Sequence, residues 1–141
     1  RISPQVTRAR DMGLLDGNAT AILDAVMERL DRFIPRNPPA SLLHGDLWGG
    51  NAGALEDGDP VIFDPAVYFG DREADLAMTR LFGGFAPSFY QAYQDAWPLP
   101  PGHEARVDLY NLYHILNHAV LFGGSYARQA QTMIEALLRH L

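Results

Sequence analysis

The sequence contains no cysteine, no lysine and no long apolar run. Without cysteine there is no disulfide framework, thiol nucleophile or cysteine-ligated zinc, and a cytoplasmic location is the default expectation. No segment approaches the ~20 apolar residues that a membrane-spanning helix needs, so a membrane partner is not expected. The 17 acidic residues outnumber the 11 arginines, for a net charge of -6. Because nucleic-acid affinity depends on neutralising phosphates, this balance argues against a nucleic-acid partner.

The size and apolar content of the chain suit a single compact domain. It has 141 residues, of which 48% are hydrophobic, and a chain of this length buries about two-thirds of its unfolded surface. The first residue is Arg1 rather than methionine. We therefore expect the chain to be a piece of a longer polypeptide.

Helix signals open the chain. Ser3 reads as the N-cap of a short helix that ends near Gly13, and Asn18 reads as the cap of a second helix over about residues 19–33. The proline-rich stretch 35–39 is then predicted to stop that helix and to act as a linker.

A small β region follows, and the remainder reads as helical. Residues 41–43 form a buried strand candidate, and a hairpin is predicted from residues 52–55 and 60–63 around a polar turn. From residue 72 onward the pattern predicts four helices, near 72–82, 87–96, 103–122 and 125–140. The predicted fold class is α+β, mostly helical, with a small sheet inserted early.

Three polar residues on the loops of this β region carry the chemistry. Asp46, Asn51 and Asp64 follow the D-x-x-x-x-N…D spacing of kinase catalytic loops. A first carboxylate can orient an attacking hydroxyl and accept its proton, whereas an amide oxygen and a second carboxylate are hard ligands suited to Mg²⁺. A hairpin of this length brings Asp64 back beside Asn51.

Plainer interpretations exist for the same residues. Asp and Asn among glycines are common turn residues, and His44 is able simply to satisfy a backbone carbonyl. The glycines that flank Asp46, the strands that bracket the loop and an Asp64 that ends an apolar run are jointly unusual for a structural turn. Together they favour a catalytic site.

The chain resembles the fructosamine-3-kinase (ketosamine-3-kinase) family, which is similar to the aminoglycoside and choline phosphotransferases and shares a protein-kinase-like fold. The segments that carry the resemblance are HGDLWGGN at 44–51, FDPAVYFGDREADLAM at 63–78, LFGGF at 81–85, LYNLYHILNH at 109–118 and RISPQ at 1–5. The last of these resembles the start of the family's C-terminal lobe. The resemblance implies that residues 1–141 are that C-terminal, catalytic lobe.

The resemblance also implies roles for individual residues. Asp46 is the expected catalytic base, with Asn51 and Asp64 holding Mg²⁺ and, through it, ATP. The implied reaction phosphorylates the 3-hydroxyl of a ketosamine, either free or on a glycated protein. Gly49 and Asp71 depart from the family, where we expect serine and histidine, and neither change removes a base or a metal ligand.

Three further residues are assigned supporting roles by the resemblance. Trp48 is expected to cover a sugar ring or contact the amine of the substrate, although an anchor that locks the loop is an equally good interpretation. Asp75 is expected to steady the catalytic loop together with His44. The alternative for Asp75 is an ordinary aspartate near a helix N-terminus, where the helix dipole favours negative charge.

Parts that a kinase needs are missing from the sequence. It has no G-x-G-x-x-G loop and, lacking lysine, no residue to clamp the nucleotide phosphates. The resemblance places these parts in an N-terminal lobe upstream of Arg1, so we expect the chain to be inactive without that lobe. Two alternatives stay open: an aminoglycoside- or choline-type phosphotransferase, and a non-catalytic sugar-binding or interaction module. The pair His114 and His118 has metal-ligand spacing but no third ligand, so we interpret both as core or cleft-wall residues.

Overall fold

A computed structural model describes residues 2–34 and 37–141 of the chain. The chain divides into two compact units. The first unit comprises the chain up to Arg36 together with Glu104–Leu141, and the second comprises Asn37–His103. All the predicted chemistry falls within the second unit.

The elements follow one another with short connections. The helices are α1 (Ile2–Asp11), α2 (Gly17–Glu28), α3 (Leu30–Phe33), α4 (Glu73–Met78), α5 (Pro87–Ala96), α6 (His103–Phe122) and α7 (Ser125–Leu137). The strands are β1 (Ala40–Leu43), β2 (Ala52–Ala54), β3 (Pro60–Ile62) and β4 (Tyr68–Asp71). Short 3-10 turns cover Gly49–Asn51 and Leu138–His140. The mostly helical α+β class predicted from the sequence is confirmed.

The first unit is helical, and α2 packs against α7. The apolar face of α2 is buried at Ile22, Leu23 and Val26, as its spacing predicts. The fully buried large side chains of the first unit include Leu23, Val26, Leu112, Ile115, Leu116, Ile134 and Leu137. Burying an aliphatic side chain of this size contributes about 1.5–3 kcal/mol, so this core supplies much of the driving force for folding of the unit.

Two helix starts differ from the sequence-based expectation. The N-cap of α2 is Asp16, not Asn18: its backbone is extended, and its carboxylate accepts a hydrogen bond from the amide of Ala19 at 2.7 Å. Ser3 lies inside α1 rather than at its cap. Aspartate and asparagine are both good N-cap residues, so the sequence alone does not distinguish Asp16 from Asn18, and the prediction of Asn18 was wrong.

Helix ends also differ from the expectation. The predicted helix over 19–33 is divided at Arg29, whose φ of -115° interrupts α2 before the short α3. The predicted helix over 72–82 is only Glu73–Met78 and leads into turns. In the predicted linker 35–39, residues 35 and 36 lie outside the described residues, and 37–39 are irregular.

The second unit contains two separate antiparallel strand pairs. Strands β2 and β3 form the predicted hairpin, with Ala52 opposite Ile62. Strand β1 pairs with β4, an element that the sequence did not reveal, and Leu43 lies opposite Tyr68. Only Leu43 of β1 is buried, whereas its neighbour Leu42 is 65% exposed, so β1 is not the buried strand expected.

Arg72 ties the end of α5 to the residues that follow β4. Its guanidinium donates hydrogen bonds to the Trp97 carbonyl at 2.8 Å and the Pro98 carbonyl at 2.6 Å. The guanidinium carbon also lies 3.9 Å from the centroid of the Trp97 ring, within cation–π range. The second unit is therefore held together by polar contacts as well as by its small core.

No helix within residues 2–34 and 37–141 is both long enough and apolar enough to cross a bilayer.

Candidate active site

His44 connects the loop after β1 to the segment after β3. Its Nε2 donates to the Phe63 carbonyl at 2.9 Å, since a carbonyl can only accept. This leaves Nδ1 to accept from the amide of Asp46 at 3.3 Å. The carbonyl of His44 in turn accepts from the amide of Ala66 at 2.7 Å. One buried histidine therefore fixes both loops, and its contact with a backbone carbonyl is the one that its plainer interpretation allowed.

Asp75, near the start of α4, supports the same loop from a second side. Its Oδ2 accepts from the amide of His44 at 2.6 Å, and its Oδ1 accepts from the amide of Gly45 at 2.9 Å. Charge-assisted bonds of this kind are shorter and stronger than neutral ones. The carboxylate thus clamps two consecutive amides immediately before Asp46, an arrangement that an ordinary helix-face aspartate does not make.

Gly45 is needed for the tight path of the loop. Its φ is +83°, and a Cβ there would lie 2.1 Å from the carbonyl oxygen of Ala66. The two loops approach too closely for any side chain at this position. The glycine is visible in the sequence, but the close approach is not, because Ala66 is 21 residues further along the chain.

Asn51 contacts Asp46 directly. The amide nitrogen of Asn51 donates to both the backbone carbonyl and Oδ2 of Asp46, each at 2.9 Å. The amide nitrogen of Asn51 is thus turned toward Asp46, and Oδ1 is the atom left to act as an acceptor or ligand. Asn51 is buried and Asp46 is half-buried, so the contact is protected from solvent on the side of the asparagine.

Asp64 follows Phe63, whose amide donates to the carbonyl of Asn51 at 3.0 Å. This backbone hydrogen bond joins Phe63, the residue before Asp64, directly to Asn51. Asp64 is exposed and has a φ of +53°, a left-handed conformation that is uncommon outside glycine. Such conformations are concentrated at functional sites, where the surrounding structure maintains them. The loops that carry Asp46, Asn51 and Asp64 are therefore joined by hydrogen bonds.

Trp48 packs its indole over the backbone of Gly50. A Cβ at Gly50 would lie 2.2 Å from Cζ2 of the indole, so the ring and this glycine fit each other. The amide of Trp48 donates to the Asp46 carbonyl at 3.2 Å, and the side chain is half-buried. The ring thus remains accessible on one side, two residues after Asp46. Both the loop-anchor and the ligand-contact interpretations agree with this placement.

The two histidines on α6 are joined by a hydrogen bond within their helix. Nδ1 of His118 donates to the carbonyl of His114 at 2.8 Å, a bond within the helix. Across the described part of the chain, no group of three or more His, Cys, Asp or Glu is placed to hold a metal ion.

The fold and this loop arrangement define the class as kinase-like. The family model for fructosamine kinase matches residues 1–140. The chain belongs to the fructosamine kinase family, as the motifs in its sequence had predicted.

Individual relatives agree with the family. The chain is 49% identical over 140 residues to a protein of Vibrio parahaemolyticus named "Probable ketoamine kinase", covering 99% of this chain and 47% of that protein. A Synechocystis protein with the same name is 59% identical over 104 residues, covering 74% of this chain and 35% of its own length. The chain thus spans about half the length of the first relative and about a third of the second.

Solved structures give the same result. The "putative fructosamine-3-kinase" of Thermobifida fusca matches with a TM-score of 0.87 and 38% identity, over 99% of this chain and 48% of that one. A second structure described in the same words, from Haemophilus somnus, has a TM-score of 0.81 and 35% identity, over 98% of this chain and 46% of its own. At these identities the likeness extends beyond the fold to the family.

Proposed function

We propose that this chain is the catalytic, C-terminal lobe of an ATP-dependent kinase that phosphorylates the 3-hydroxyl of a ketosamine, free or on a glycated protein. The main support is the contact of Asn51 with Asp46, on a loop joined by hydrogen bonds to the one that carries Asp64. The names of the relatives favour a ketoamine as the acceptor. A cytoplasmic location stays a prediction.

Asp46 is proposed as the general base. The amide of Asn51 engages Oδ2, which orients the carboxylate and leaves Oδ1 to accept the proton of the attacking hydroxyl. The loop is fixed by His44 and Asp75, so the base does not have to be ordered when substrate binds. The carboxylate then holds the proton while the hydroxyl oxygen bonds to the γ-phosphorus of ATP and the bond from that phosphorus to the departing ADP breaks.

Asn51 and Asp64 are proposed to hold Mg²⁺ with the nucleotide. Their oxygen atoms suit Mg²⁺ as ligands. The amide nitrogen of Asn51, not its oxygen, is engaged by Asp46, and the carboxylate of Asp64 is exposed. When bound, the cation neutralises charge on the transferring phosphoryl group. Trp48 is proposed to contact the sugar or amine part of the acceptor.

We propose that this chain works only with an N-terminal lobe. The sequence has no lysine and no glycine-rich phosphate loop, and it spans about half of its relatives. The test compares ATP-dependent phosphorylation of fructosyl-lysine by the 141-residue chain and by a family-length protein, in which this chain is joined to the half of its relatives that it does not match. We expect turnover only from the latter, and appreciable turnover by the chain alone would contradict the need for a second lobe.

The catalytic assignment is tested in the same family-length protein by Asp46→Asn. Loss of a general base costs about 10²–10⁴-fold in rate, so kcat falls by at least about 100-fold while the protein stays folded. Asp59→Asn, in the exposed hairpin turn, is the matched control and leaves kcat unchanged. Equal activity of the two variants would refute the role of Asp46.

Phosphorylation of an aminoglycoside or choline in place of fructosyl-lysine would favour the phosphotransferase alternative, and absence of any turnover would favour a binding module.

A further inference from the structure

Phe82 has a backbone conformation that its residue type disfavours. Its φ is +53°, in the left-handed region, and the next two residues, Gly83 and Gly84, have φ values of +104° and +73°. Glycine adopts such values without steric conflict, whereas phenylalanine does not. Glycine would suit the backbone conformation at position 82 better than phenylalanine does. The presence of phenylalanine therefore indicates that its side chain is needed at this position.

Hydrogen bonds of Tyr90 and Thr79 hold the turn that carries Phe82. The hydroxyl of Tyr90 donates to the Thr79 carbonyl at 3.2 Å and accepts from the amide of Phe85 at 3.2 Å. Thr79 is fully buried, and its hydroxyl donates to the carbonyl of Leu76 at 2.7 Å. These bonds fix the two ends of the turn, so Phe82 is held in its conformation by the surrounding structure.

The ring of Phe82 meets the ring of Trp48. Their centroids lie 5.6 Å apart with an interplanar angle of 80°, an edge-to-face arrangement. On another side, the indole packs over Gly50. Contacts with Phe82 and with Gly50 therefore restrict the orientation of the indole, and Phe82 itself remains 41% exposed.

We propose that Phe82 is a substrate-positioning and specificity-determining residue: with Trp48 it forms an aromatic corner that receives the sugar ring of the acceptor. Sugar rings carry faces of C–H groups that pack on aromatic surfaces, and a corner of two roughly perpendicular rings fixes both the position and the tilt of such a ring. The backbone amide of Trp48 donates a hydrogen bond to the carbonyl of Asp46, so the corner lies on the loop of the proposed base. This proposal rests on the proposed function above.

The test measures steady-state kinetics of the family-length protein with fructosyl-lysine and ATP for three variants. Phe82→Gly removes the ring and relieves the left-handed strain, Phe82→Leu removes the ring and keeps the strain, and Phe82→Tyr keeps the ring. We expect the first two to raise the KM for fructosyl-lysine about 3- to 10-fold, with kcat and the KM for ATP unchanged, as the loss of one aromatic contact implies. Phe82→Tyr retains the wild-type KM.

The control is Phe69→Leu, which shortens a more exposed phenylalanine on β4, where the side chain is 75% exposed against 41% for Phe82. It leaves all three constants unchanged. In the 141-residue chain, which has two tryptophans, Trp97→Phe isolates the emission of Trp48, and this emission reports separately whether the corner has opened. A folded Phe82→Gly variant with an unchanged KM for fructosyl-lysine would overturn the proposal for Phe82 alone. A wild-type protein that does not phosphorylate fructosyl-lysine, while Trp48 emission still depends on Phe82, would instead overturn the proposed function and with it the sugar as the ligand of this corner.

Discussion

Replacing Gly50 by alanine tests how the chain fixes the indole of Trp48. The new Cβ would lie 2.2 Å from Cζ2, 2.3 Å from Cη2 and 2.7 Å from Cε2 of the ring, whereas ordinary contacts begin at 3.4 Å. The indole must therefore move by about 1 Å or rotate away, because packed atoms cannot overlap by this amount.

The expected cost follows from what the ring loses. Overpacking costs about 1–3 kcal/mol, and the lost edge contact with Phe82 accounts for about 0.5–1.5 kcal/mol of it. Because Trp48 is only half-buried, the ring is able to escape toward solvent, which favours the lower part of this range. We expect Gly50→Ala to lower the free energy of unfolding by about 1–2 kcal/mol.

Gly49→Ala is the matched control. A Cβ at Gly49 meets no atom within 4 Å, and neither glycine has a left-handed φ, so backbone strain does not distinguish the two substitutions. The control is expected to stay within about 0.5 kcal/mol of the wild type. The assay is equilibrium urea unfolding followed by circular dichroism, with Trp48 emission recorded in a Trp97→Phe background. Equal stabilities of the two variants, with unchanged emission, would refute the packing described for Trp48.

Two further predictions concern stability. Asp75→Ala removes the acceptor of two backbone amides and is expected to cost about 2–3 kcal/mol in urea unfolding; a loss no larger than that of an exposed control such as Asp57→Ala would contradict the clamp. Burial raises the pKa of Asp108 above its usual 3.8, against the opposing effects of Arg139 and His140. A raised native pKa means that this carboxyl destabilises the fold increasingly as pH rises from its unfolded pKa through its native pKa. Asp108→Asn should therefore gain stability over the wild type when the pH of a thermal melt is raised from about 3.5 to 7, and a constant difference across that range would contradict the assignment.

Much of the local structure followed from short stretches of sequence. The hairpin of β2 and β3 was predicted because its polar turn and flanking apolar residues are all within one segment of chain. The helices α5 and α6 matched their predicted bounds because glycine and proline mark their ends. Errors occurred where neighbouring residues compete, as at the α2 cap, where Asp16 and Asn18 both have suitable side chains.

Strand β4 was missed because its partner is far away in sequence. Tyr68–Asp71 has a mixed composition, with a glycine and an aspartate, and it is a strand because it pairs with Ala40–Leu43. Strand propensity depends strongly on the neighbouring strand, and no local pattern reports a neighbour nearly 30 residues away.

The sequence by itself determined the family of this protein and its candidate groups, because Asp46, Asn51 and Asp64 keep a spacing that is legible in one dimension. Only the tertiary structure decided how they are supported: Asp75 clamps the loop, His44 links the two loops, and the left-handed Phe82 meets Trp48. The physical reason is that these contacts join residues about 20 to 35 positions apart. Such contacts form only when the whole unit closes, so no short stretch of the sequence encodes them.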